Sequence, residues 1–426
     1  MTEVSSDLRI SIDRLLDRLA TLAGIGAIEG TAGAARLAFT DADRDGRDLV
    51  VAWMADLGLD VSIDAIGNVI GVWRQGAEPA GRHLAPVLCG SHIDTVATGG
   101  RYDGNLGVLA GLEIIETLAR AGVTTARPLG VGFFSNEEGA RFAPDMLGSL
   151  VYAGGMALEE ALAITGIDGT TVGDELHRIG YRGPAPCPGP APHAFVELHI
   201  EQGPVLEEAG IGIGVVEGVQ GISWTEVTIE GQSNHAGTTP IRLRHDAGYA
   251  AARLAVFVRE LAAELGPPMV GTVGSVRLHP DLVNVVAASA LVTVDLRHTD
   301  DAVLAVAEKR LGAFLDELTE TEGVRITTRP LARFAPVVFT PGVVDLVEAT
   351  ARELGCTTLR LPSGAGHDAQ MLARMCPTAM IFTPSRGGIS HNPAEYTDPE
   401  HLEAGANVLL QMLLRLAAEP AGRRGG

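Results

Sequence analysis

Hydrophobic positions in the first half of the chain form two kinds of pattern. Apolar residues recur every three or four positions at 7–23, which predicts an amphipathic helix. Short apolar runs at 86–89 and 129–134 lie between polar or glycine-rich segments, and each predicts a buried strand. The order of strand, glycine-rich loop, helix and strand is typical of an α/β layer with functional residues at strand ends. The further predictions for this half are helices at 44–57, 158–164 and 172–179 and strands at 61–64, 68–73 and 194–200.

The pattern changes after about residue 211. From there the chain predicts strand, helix, two strands, helix and strand, which is the order of the ferredoxin-like unit. These elements are expected at 222–229, 244–265, 270–278, 291–296, 300–318 and 324–328. The first pattern resumes with helices at 341–354 and 398–417 and a strand at 379–382. We therefore expect a discontinuous α/β domain formed by 1–211 and 330–426, with an α+β domain inserted at 212–329.

Composition and charge narrow the class of protein. The 426 residues are 46% hydrophobic and 20% charged, which suits a large globular core, and the formal net charge of -21 argues against nucleic acid as a partner. Four cysteines form no close pair, which fits a reducing compartment. The polar segment 1–7 is not typical of a signal peptide, and no uncharged apolar run approaches the ~20 residues of a membrane span. We expect a cytoplasmic protein with no membrane partner and a frayed tail at 420–426.

The stretch 87–107 combines a predicted strand with three polar residues that are candidates for a functional site. His92 and Asp94 are two residues apart, so they project to one side of an extended segment, and Asp103 follows on a glycine-rich loop. One interpretation is a metal site in which Asp103 bridges two cations and Asp94 orients the imidazole. The other is a polar turn between strand and helix, with Asp103 as a helix cap. This stretch alone does not decide between them.

Four further polar groups follow short apolar runs outside the inserted domain. They are Glu137-Glu138, His199, His367-Asp368 and His391. Each alone is more often structural, but their shared position at strand ends favours a metal centre with two cations and about five protein ligands. The side chains of Glu137 and Glu138 diverge in extended backbone, so one can bind metal while the other accepts a proton.

Seven motifs in this order resemble one family of enzymes. Together they resemble the binuclear-metal amidohydrolases that include allantoate amidohydrolase, N-carbamoyl-L-amino-acid hydrolase and β-ureidopropionase. The resemblance covers about residues 50–415 and implies a zinc-peptidase-like α/β catalytic domain with a mixed sheet and an inserted lid and dimerisation domain. The motifs are Gly90-Ser91-His92-Ile93-Asp94-Thr95-Val96, Gly100-Arg101-Tyr102-Asp103-Gly104, Asn136-Glu137-Glu138-Gly139-Ala140-Arg141-Phe142, Glu197-Leu198-His199-Ile200-Glu201-Gln202-Gly203-Pro204, His235-Ala236-Gly237-Thr238-Thr239-Pro240, Gly364-Ala365-Gly366-His367-Asp368-Ala369 and Gly388-Ile389-Ser390-His391-Asn392.

The resemblance implies a role for each residue of the candidate metal centre. Glu137 matches the general base, and Asp94 matches the residue that orients His92. His199 stands where related aminopeptidases and deacylases usually have a carboxylate, which favours the ureido branch. The ligands implied for two divalent cations per subunit, zinc or manganese with cobalt and nickel also compatible, are His92, Asp103, Glu138, His199 and His391.

Substrate contacts are also implied, mostly in the inserted domain. Arg297 matches an arginine that binds the substrate carboxylate, Asn284 and His235 match residues that hold substrate and transition state, and Gln202 matches a further contact. The alternative for Arg297 is a surface residue paired with Asp295. The loop of Gly366 and His367 either presents backbone N–H groups to an anion or is structural. The resemblance further implies a homodimer that pairs through the inserted domain.

The expected reaction is hydrolysis of a terminal ureido C–N bond, which releases ammonia and carbon dioxide. The substrate is allantoate, an N-carbamoyl-L-amino acid or N-carbamoyl-β-alanine, between which the sequence does not distinguish. One alternative is a di-zinc aminopeptidase or aminoacylase on the same scaffold, against which His199 argues. The other is a non-catalytic binding homologue, against which the adjacent Glu137 and Glu138 argue.

Overall fold

The computed structural model describes residues 7–418, so the expectations for the extreme N-terminus and for the tail 420–426 lie outside the described residues. The described chain divides into two compact units. The first comprises the chain up to Glu217 and from Phe339 onward, and the second comprises Gly218–Val338. The sequence-based boundaries at 212 and 329 differ from these because strands at 213–219 and 325–334 extend beyond them.

Fifteen strands and twelve α-helices are found in residues 7–418. The strands are β1 (Asp60–Ile63), β2 (Val69–Trp73), β3 (Val87–His92), β4 (Leu129–Phe134), β5 (Ala194–Ile200), β6 (Ile213–Val219), β7 (Gly221–Glu230), β8 (Asn234–His235), β9 (Val270–His279), β10 (Val285–Val286), β11 (Ser289–His298), β12 (Arg325–Phe334), β13 (Val337–Val338), β14 (Thr358–Ser363) and β15 (Thr378–Thr383). The helices are α1 (Ile12–Ala23), α2 (Asp41–Asp56), α3 (Asn105–Ala121), α4 (Leu147–Tyr152), α5 (Leu158–Leu162), α6 (Val172–Ile179), α7 (Val205–Ala209), α8 (Ala247–Leu265), α9 (Asp301–Glu322), α10 (Pro341–Glu353), α11 (Asp368–Leu372) and α12 (Pro399–Ala417).

A mixed sheet organises the first unit. Its strand order is β1-β2-β4-β3-β5-β15-β6-β13, with β14 paired to β6. The four neighbours β4, β3, β5 and β15 run parallel to one another. All residues of these four strands are buried, as expected for parallel strands covered on both faces. Their carboxyl ends therefore meet at one edge of the sheet.

Some elements differ from the sequence-based expectations. Helix α1 begins at Ile12, later than expected, because Ser11 caps it by accepting a hydrogen bond from the Arg14 N–H. Strands β6 and β14 and the short helix α7 had no clear apolar pattern. In β6 the glycines Gly214 and Gly218 interrupt the apolar run, which conceals the period from which a strand is recognised.

The second unit is a four-stranded antiparallel sheet with two helices. The strand order is β12-β7-β11-β9, and α8 and α9 contact the sheet. The element order is strand, helix, two strands, helix and strand, together with the short pair β8 and β10, which agrees with the expected ferredoxin-like unit. Alternate residues of β11 and apolar residues of both helices form its core.

None of the helices within residues 7–418 is long and apolar enough to cross a membrane.

Candidate active site

The candidate site lies at the carboxyl edge of the four parallel strands. His92 is the last residue of β3, and His199 is the penultimate residue of β5. Glu137 and Glu138 follow β4, and His391 follows β15. Because the carboxyl ends of adjacent parallel strands meet, residues far apart in sequence converge here.

Asp103 lies in the loop before α3 and faces three histidines. Its Oδ1 lies 3.1 Å from Nε2 of His199 and 3.5 Å from Nε2 of His92. Its Oδ2 lies 3.5 Å from Nε2 of His391. One carboxylate thus directs its two oxygens to two different groups of donors, as expected of a bridging ligand.

The donor atoms form two groups that share Asp103. The first group is His92, Asp103 and His199, and the second is Asp103, Glu138 and His391; within each group the atoms lie within 4.8 Å of one another. Glu138 Oε2 is 3.1 Å from Nε2 of His391. Imidazole and carboxylate donors without thiolate suit zinc or manganese. The residues present therefore fit a pair of divalent cations.

The two groups differ in exposure, and both contain side chains with shifted pKa values. His92 and His199 are buried, whereas the side chain of His391 is 51% exposed. Burial opposes the ionised form of Asp103, but His199 and His92 outweigh it and hold its pKa well below the usual range. A hydrogen bond with Glu138 raises the pKa of His391 to about 9. Asp103 therefore remains ionised and can bind a cation through its carboxylate oxygens.

Glu137 lies beside the donor groups and belongs to neither. Its Oε2 is 3.3 Å from Nε2 of His92, and burial raises its pKa well above the usual value. Asn136 precedes it with a φ of 54°, in the left-handed region. Glu138 instead directs Oε1 to the N–H of Val96 and Oε2 to His391. The two adjacent glutamates therefore have different surroundings.

Asp94 is placed differently from the expectation that its carboxylate orients His92. The atom at hydrogen-bond distance from Nδ1 of His92 is the backbone oxygen of Asp94, at 2.9 Å, whereas Oδ1 is 4.0 Å away. The carboxylate instead accepts the backbone N–H groups of Glu137 and Glu138, at 3.2 and 3.3 Å. Burial raises the pKa of Asp94 to about 6. Asp94 thus contacts His92 through its backbone oxygen and the main chain of Glu137 and Glu138 through its carboxylate.

The close approach of the His92 ring requires glycine at position 104. The φ of Gly104 is 65°, and a Cβ there would lie 2.4 Å from the His92 ring. Its N–H lies 3.2 Å from Nε2 of His199. A side chain at this position would displace a donor of the first group.

Three residues near the site were not identified from sequence. Arg36 is buried and donates to the backbone oxygen of Ile93 and to the side chain of Asn105. Glu395 and Ser390 contact the Asp103 loop. Ser390 stands within the motif around His391, and Glu395 follows that motif closely in sequence; these are the signals that could have indicated them.

Gln202 contacts the bridging carboxylate. Its Nε2 donates to Oδ2 of Asp103 at 2.9 Å. Its Oε1 is buried and has no hydrogen-bond partner among the described residues. That oxygen is therefore available as a hydrogen-bond acceptor.

His367 lies behind His199. The two rings are 4.5 Å apart, and Nε2 of His367 is 2.9 Å from Oγ of Ser363. Burial lowers the pKa of His367 well below its usual value. Glu197 and His367 form a third donor group with His199, but the Ser91 hydroxyl and the Ala369 N–H already bind both oxygens of Glu197.

Arg297, His235 and Asn284 belong to the second unit. Nη2 and Nε of Arg297 donate to Asp295 at 2.8 to 3.1 Å, and the guanidinium lies 5.8 Å from the ring of Trp224. His235 is exposed and its Nδ1 accepts backbone N–H groups. The backbone of Asn284 accepts the N–H of Ala236, so His235 and Asn284 lie close together.

Comparisons with known proteins agree with this architecture. Residues 88–415 match the model of peptidase family M20/M25/M40. An N-carbamoyl-L-amino-acid amidohydrolase from Rhizobium meliloti is 42% identical over 418 residues, 98% of this chain and 99% of that protein. A ureidoglycolate hydrolase from Arabidopsis thaliana is 35% identical over 395 residues, 90% of this chain and 82% of that protein. The crystal structure of a hydantoinase/carbamoylase family amidase from Burkholderia multivorans superposes with a TM-score of 0.93 at 43% identity, covering 97% of this chain and 100% of that one.

Proposed function

The chain belongs to peptidase family M20/M25/M40, and we propose that it is a metal-dependent amidohydrolase that cleaves the terminal ureido C–N bond of an N-carbamoyl-L-amino acid. The observation that supports this most directly is Asp103, whose two oxygens serve two donor groups beside Glu137. The similarity to an N-carbamoyl-L-amino-acid amidohydrolase across nearly both full lengths supports the substrate class.

The donor groups fit two divalent cations. His92 and His199 would hold one, Glu138 and His391 the other, and Asp103 both. When bound, such cations lower the pKa of water toward neutrality and polarise a carbonyl. Within the part of the chain that the structure describes, neither donor group includes a cysteine, so zinc and manganese both remain compatible.

Glu137 is the proposed general base. Its carboxylate faces the donor groups, is buried and is not a member of either group. Its lone pairs are therefore available to accept a proton from the attacking water and to return it to the leaving nitrogen. The hydrogen bond from its backbone N–H to Asp94 holds the main chain from which this carboxylate projects. Cleavage between the carbamoyl carbon and the amino-acid nitrogen releases the free amino acid and a carbamate, which decomposes to ammonia and carbon dioxide.

Polar groups of the chain would orient the substrate. The unpartnered Oε1 of Gln202 can accept an N–H of the ureido group. Arg297 supplies a planar guanidinium for the substrate carboxylate, already held in place by Asp295 and Trp224. We propose that His235 holds the carbamoyl oxygen. Asn284 is proposed to help Arg297 to hold the substrate carboxylate.

The second unit is also the proposed dimer surface. Strand β9 is an edge strand of its sheet, and its apolar residues Val270, Val276 and Leu278 are exposed. An edge strand with exposed apolar residues favours pairing with another chain. A cytoplasmic location stays a proposal, supported by four cysteines that are all unpaired.

An aminopeptidase or aminoacylase activity is the alternative. The first donor group contains two imidazoles because of His199, where the peptidase branch usually has a carboxylate. This difference favours the ureido reaction.

The test is ammonia release by protein loaded with manganese or zinc. N-carbamoyl-L-amino acids, allantoate, N-carbamoyl-β-alanine, N-acyl amino acids and dipeptides are compared side by side. We expect ammonia from N-carbamoyl-L-amino acids. Ammonia from allantoate alone would overturn the substrate class, and cleavage of dipeptides without ammonia would overturn the reaction.

A further inference from the structure

Glu395 is a buried carboxylate immediately behind the candidate site. It is only 3% exposed, although it lies in a loop. Its Oε1 accepts the backbone N–H groups of Tyr102 and Asp103, at 3.0 and 3.2 Å. Its Oε2 lies 3.0 Å from the hydroxyl of Ser390. Three donors from two separate loops therefore converge on one side chain.

The two loops that Glu395 joins hold different donors of the same group. One loop holds Asp103, and the other holds His391, which is the neighbour of Ser390. The hydroxyl of Ser390 also lies 2.9 Å from Oδ2 of Asp103, the oxygen that faces His391. Glu395 therefore bridges two loops that carry two donors far apart in the sequence.

Further contacts join the same loops. Thr98 donates to the backbone oxygen of His391 at 3.2 Å, and the rings of Tyr102 and Tyr396 pack edge to face at 6.1 Å. A Cβ on Gly100 would lie 2.1 Å from Oε1 of Glu395. Glu395 thus packs directly against the Asp103 loop, at a position where only glycine leaves it enough space.

Glu395 is neither a cation donor nor a base. It is absent from both donor groups, and protein N–H and O–H groups already face its two oxygens. A buried carboxylate close to the carboxylate of Asp103 is electrostatically unfavourable unless donors and a nearby cation compensate it. Its place is therefore better explained by the cation site than by stability of the fold.

We infer that Glu395 is a positioning residue, which holds Asp103 and His391 at the spacing that the second cation requires. This inference rests on the proposed pair of cations, and it adds a residue outside the five ligands. Groups that orient ligands without touching the metal typically change metal affinity by about 10–100-fold when mutated. The loops that Glu395 joins supply Asp103 and His391 to the second donor group but only Asp103 to the first, so we expect the larger effect at the second cation.

The experiment is a stepwise manganese titration of cation-free protein by calorimetry. Comparison with His391→Ala, which removes a donor of the second group alone, identifies the binding step of the second cation. For Glu395→Ala we expect the Kd of that step to rise about 10–100-fold and the Kd of the first step, which shares only Asp103 with the affected loops, to rise by a clearly smaller factor. The matched control is Glu400→Ala, an exposed glutamate five residues further along, for which neither step changes.

Two more variants separate positioning from folding. Glu395→Gln keeps an oxygen for the N–H groups of Tyr102 and Asp103, so it restores part of the affinity. Glu395→Asp retains the charge but cannot reach both N–H groups, so it weakens the same step selectively and replaces the alanine variant if that one does not fold. Unchanged Kd values in the folded Ala or Asp variant, or equal weakening of both steps, would overturn the inference.

This readout does not depend on the substrate. If no ureido compound is hydrolysed but the second step weakens as described, the proposed function fails and the role of Glu395 stands. If ammonia is released and the second step does not weaken, the proposed function stands and the inference about Glu395 fails.

Discussion

The backbone oxygen of Asp94 lies 2.9 Å from Nδ1 of His92, and the carboxylate of Asp94 does not make that contact. The carboxylate instead accepts the N–H groups of the two glutamates that follow β4. One residue thus orients a cation donor through its main chain and the proposed base through its side chain. These two roles can be separated by mutation.

Asp94→Asn should reduce turnover without removing cations. The backbone oxygen still orients His92, but one carboxylate oxygen becomes an amide that repels an N–H. Displacement of a catalytic group by about 1 Å costs on the order of 10²-fold in rate, so we expect a fall in kcat of that size. Steady-state kinetics and metal analysis of the same sample check this, and loss of a cation would show that the carboxylate holds His92 instead.

Cation binding should release protons and depend on pH. In the cation-free protein a hydrogen bond with Glu138 raises the pKa of His391 to about 9, so near pH 7 its imidazole is protonated. A cation must displace that proton, and the affinity of the second cation therefore increases as pH rises and levels off above about 9. Calorimetry in two buffers with different ionisation enthalpies measures the proton release. Affinity that is independent of pH would contradict this account.

The buried ion pair of Arg47 and Asp43 contacts Ser135, which lies between β4 and Glu137. Arg47 binds Asp43 at 2.7 Å, both side chains are fully buried, and Arg47 also donates to Gly67 and Ser135. Arg47→Met leaves the carboxylate of Asp43 uncompensated, which costs about 3–5 kcal/mol in the free energy of unfolding.

The control for that prediction is Arg44→Met on the same helix. Arg44 is 40% exposed and pairs with exposed aspartates, so we expect a cost below about 1 kcal/mol. Guanidinium unfolding of the three proteins measures both values. Equal costs for the two variants would show that the buried pair has no special importance.

The parallel part of the fold was predictable because each strand is a short apolar run. β4 and β5 were predicted to the residue, and the convergence of His92, Glu138 and His199 follows from their positions at strand ends. The five proposed ligands could be inferred because each lies in a motif. That inference needed the family resemblance, since the residues around His92 alone left the helix-cap alternative open.

The supporting contacts were not predictable in the same way. The sequence alone indicates that Asp94 lies near His92. Whether its backbone oxygen or its carboxylate contacts His92 depends on the turn that follows β3. Glu395 is one acidic residue among 53, and nothing local shows that its side chain is buried. Arg36 likewise acquires these partners only when the segment before α2 packs against Ile93 and Asn105, at the two ends of the connection between β3 and α3.

Arg297→Lys should weaken binding of the substrate carboxylate. An ammonium group cannot form the two parallel hydrogen bonds of a guanidinium. Loss of one hydrogen bond to a charged group costs about 1.5–3 kcal/mol, so we expect KM to rise about 10–100-fold with a smaller change in kcat.

Arg329→Lys is the control for Arg297. Arg329 is exposed on β12 and pairs with Glu226, so KM should not change. Kinetics on one N-carbamoyl-L-amino acid compare the two variants. An unchanged KM in Arg297→Lys would mean that Arg297 is a surface residue paired with Asp295.

The most direct test of the central claim is ammonia release by Glu137→Gln, measured together with its cation content. If Glu137 is the base beside two cations, the variant binds two cations per chain, and its rate falls by about 10²–10⁴-fold. Near-normal ammonia release by Glu137→Gln would contradict the mechanism.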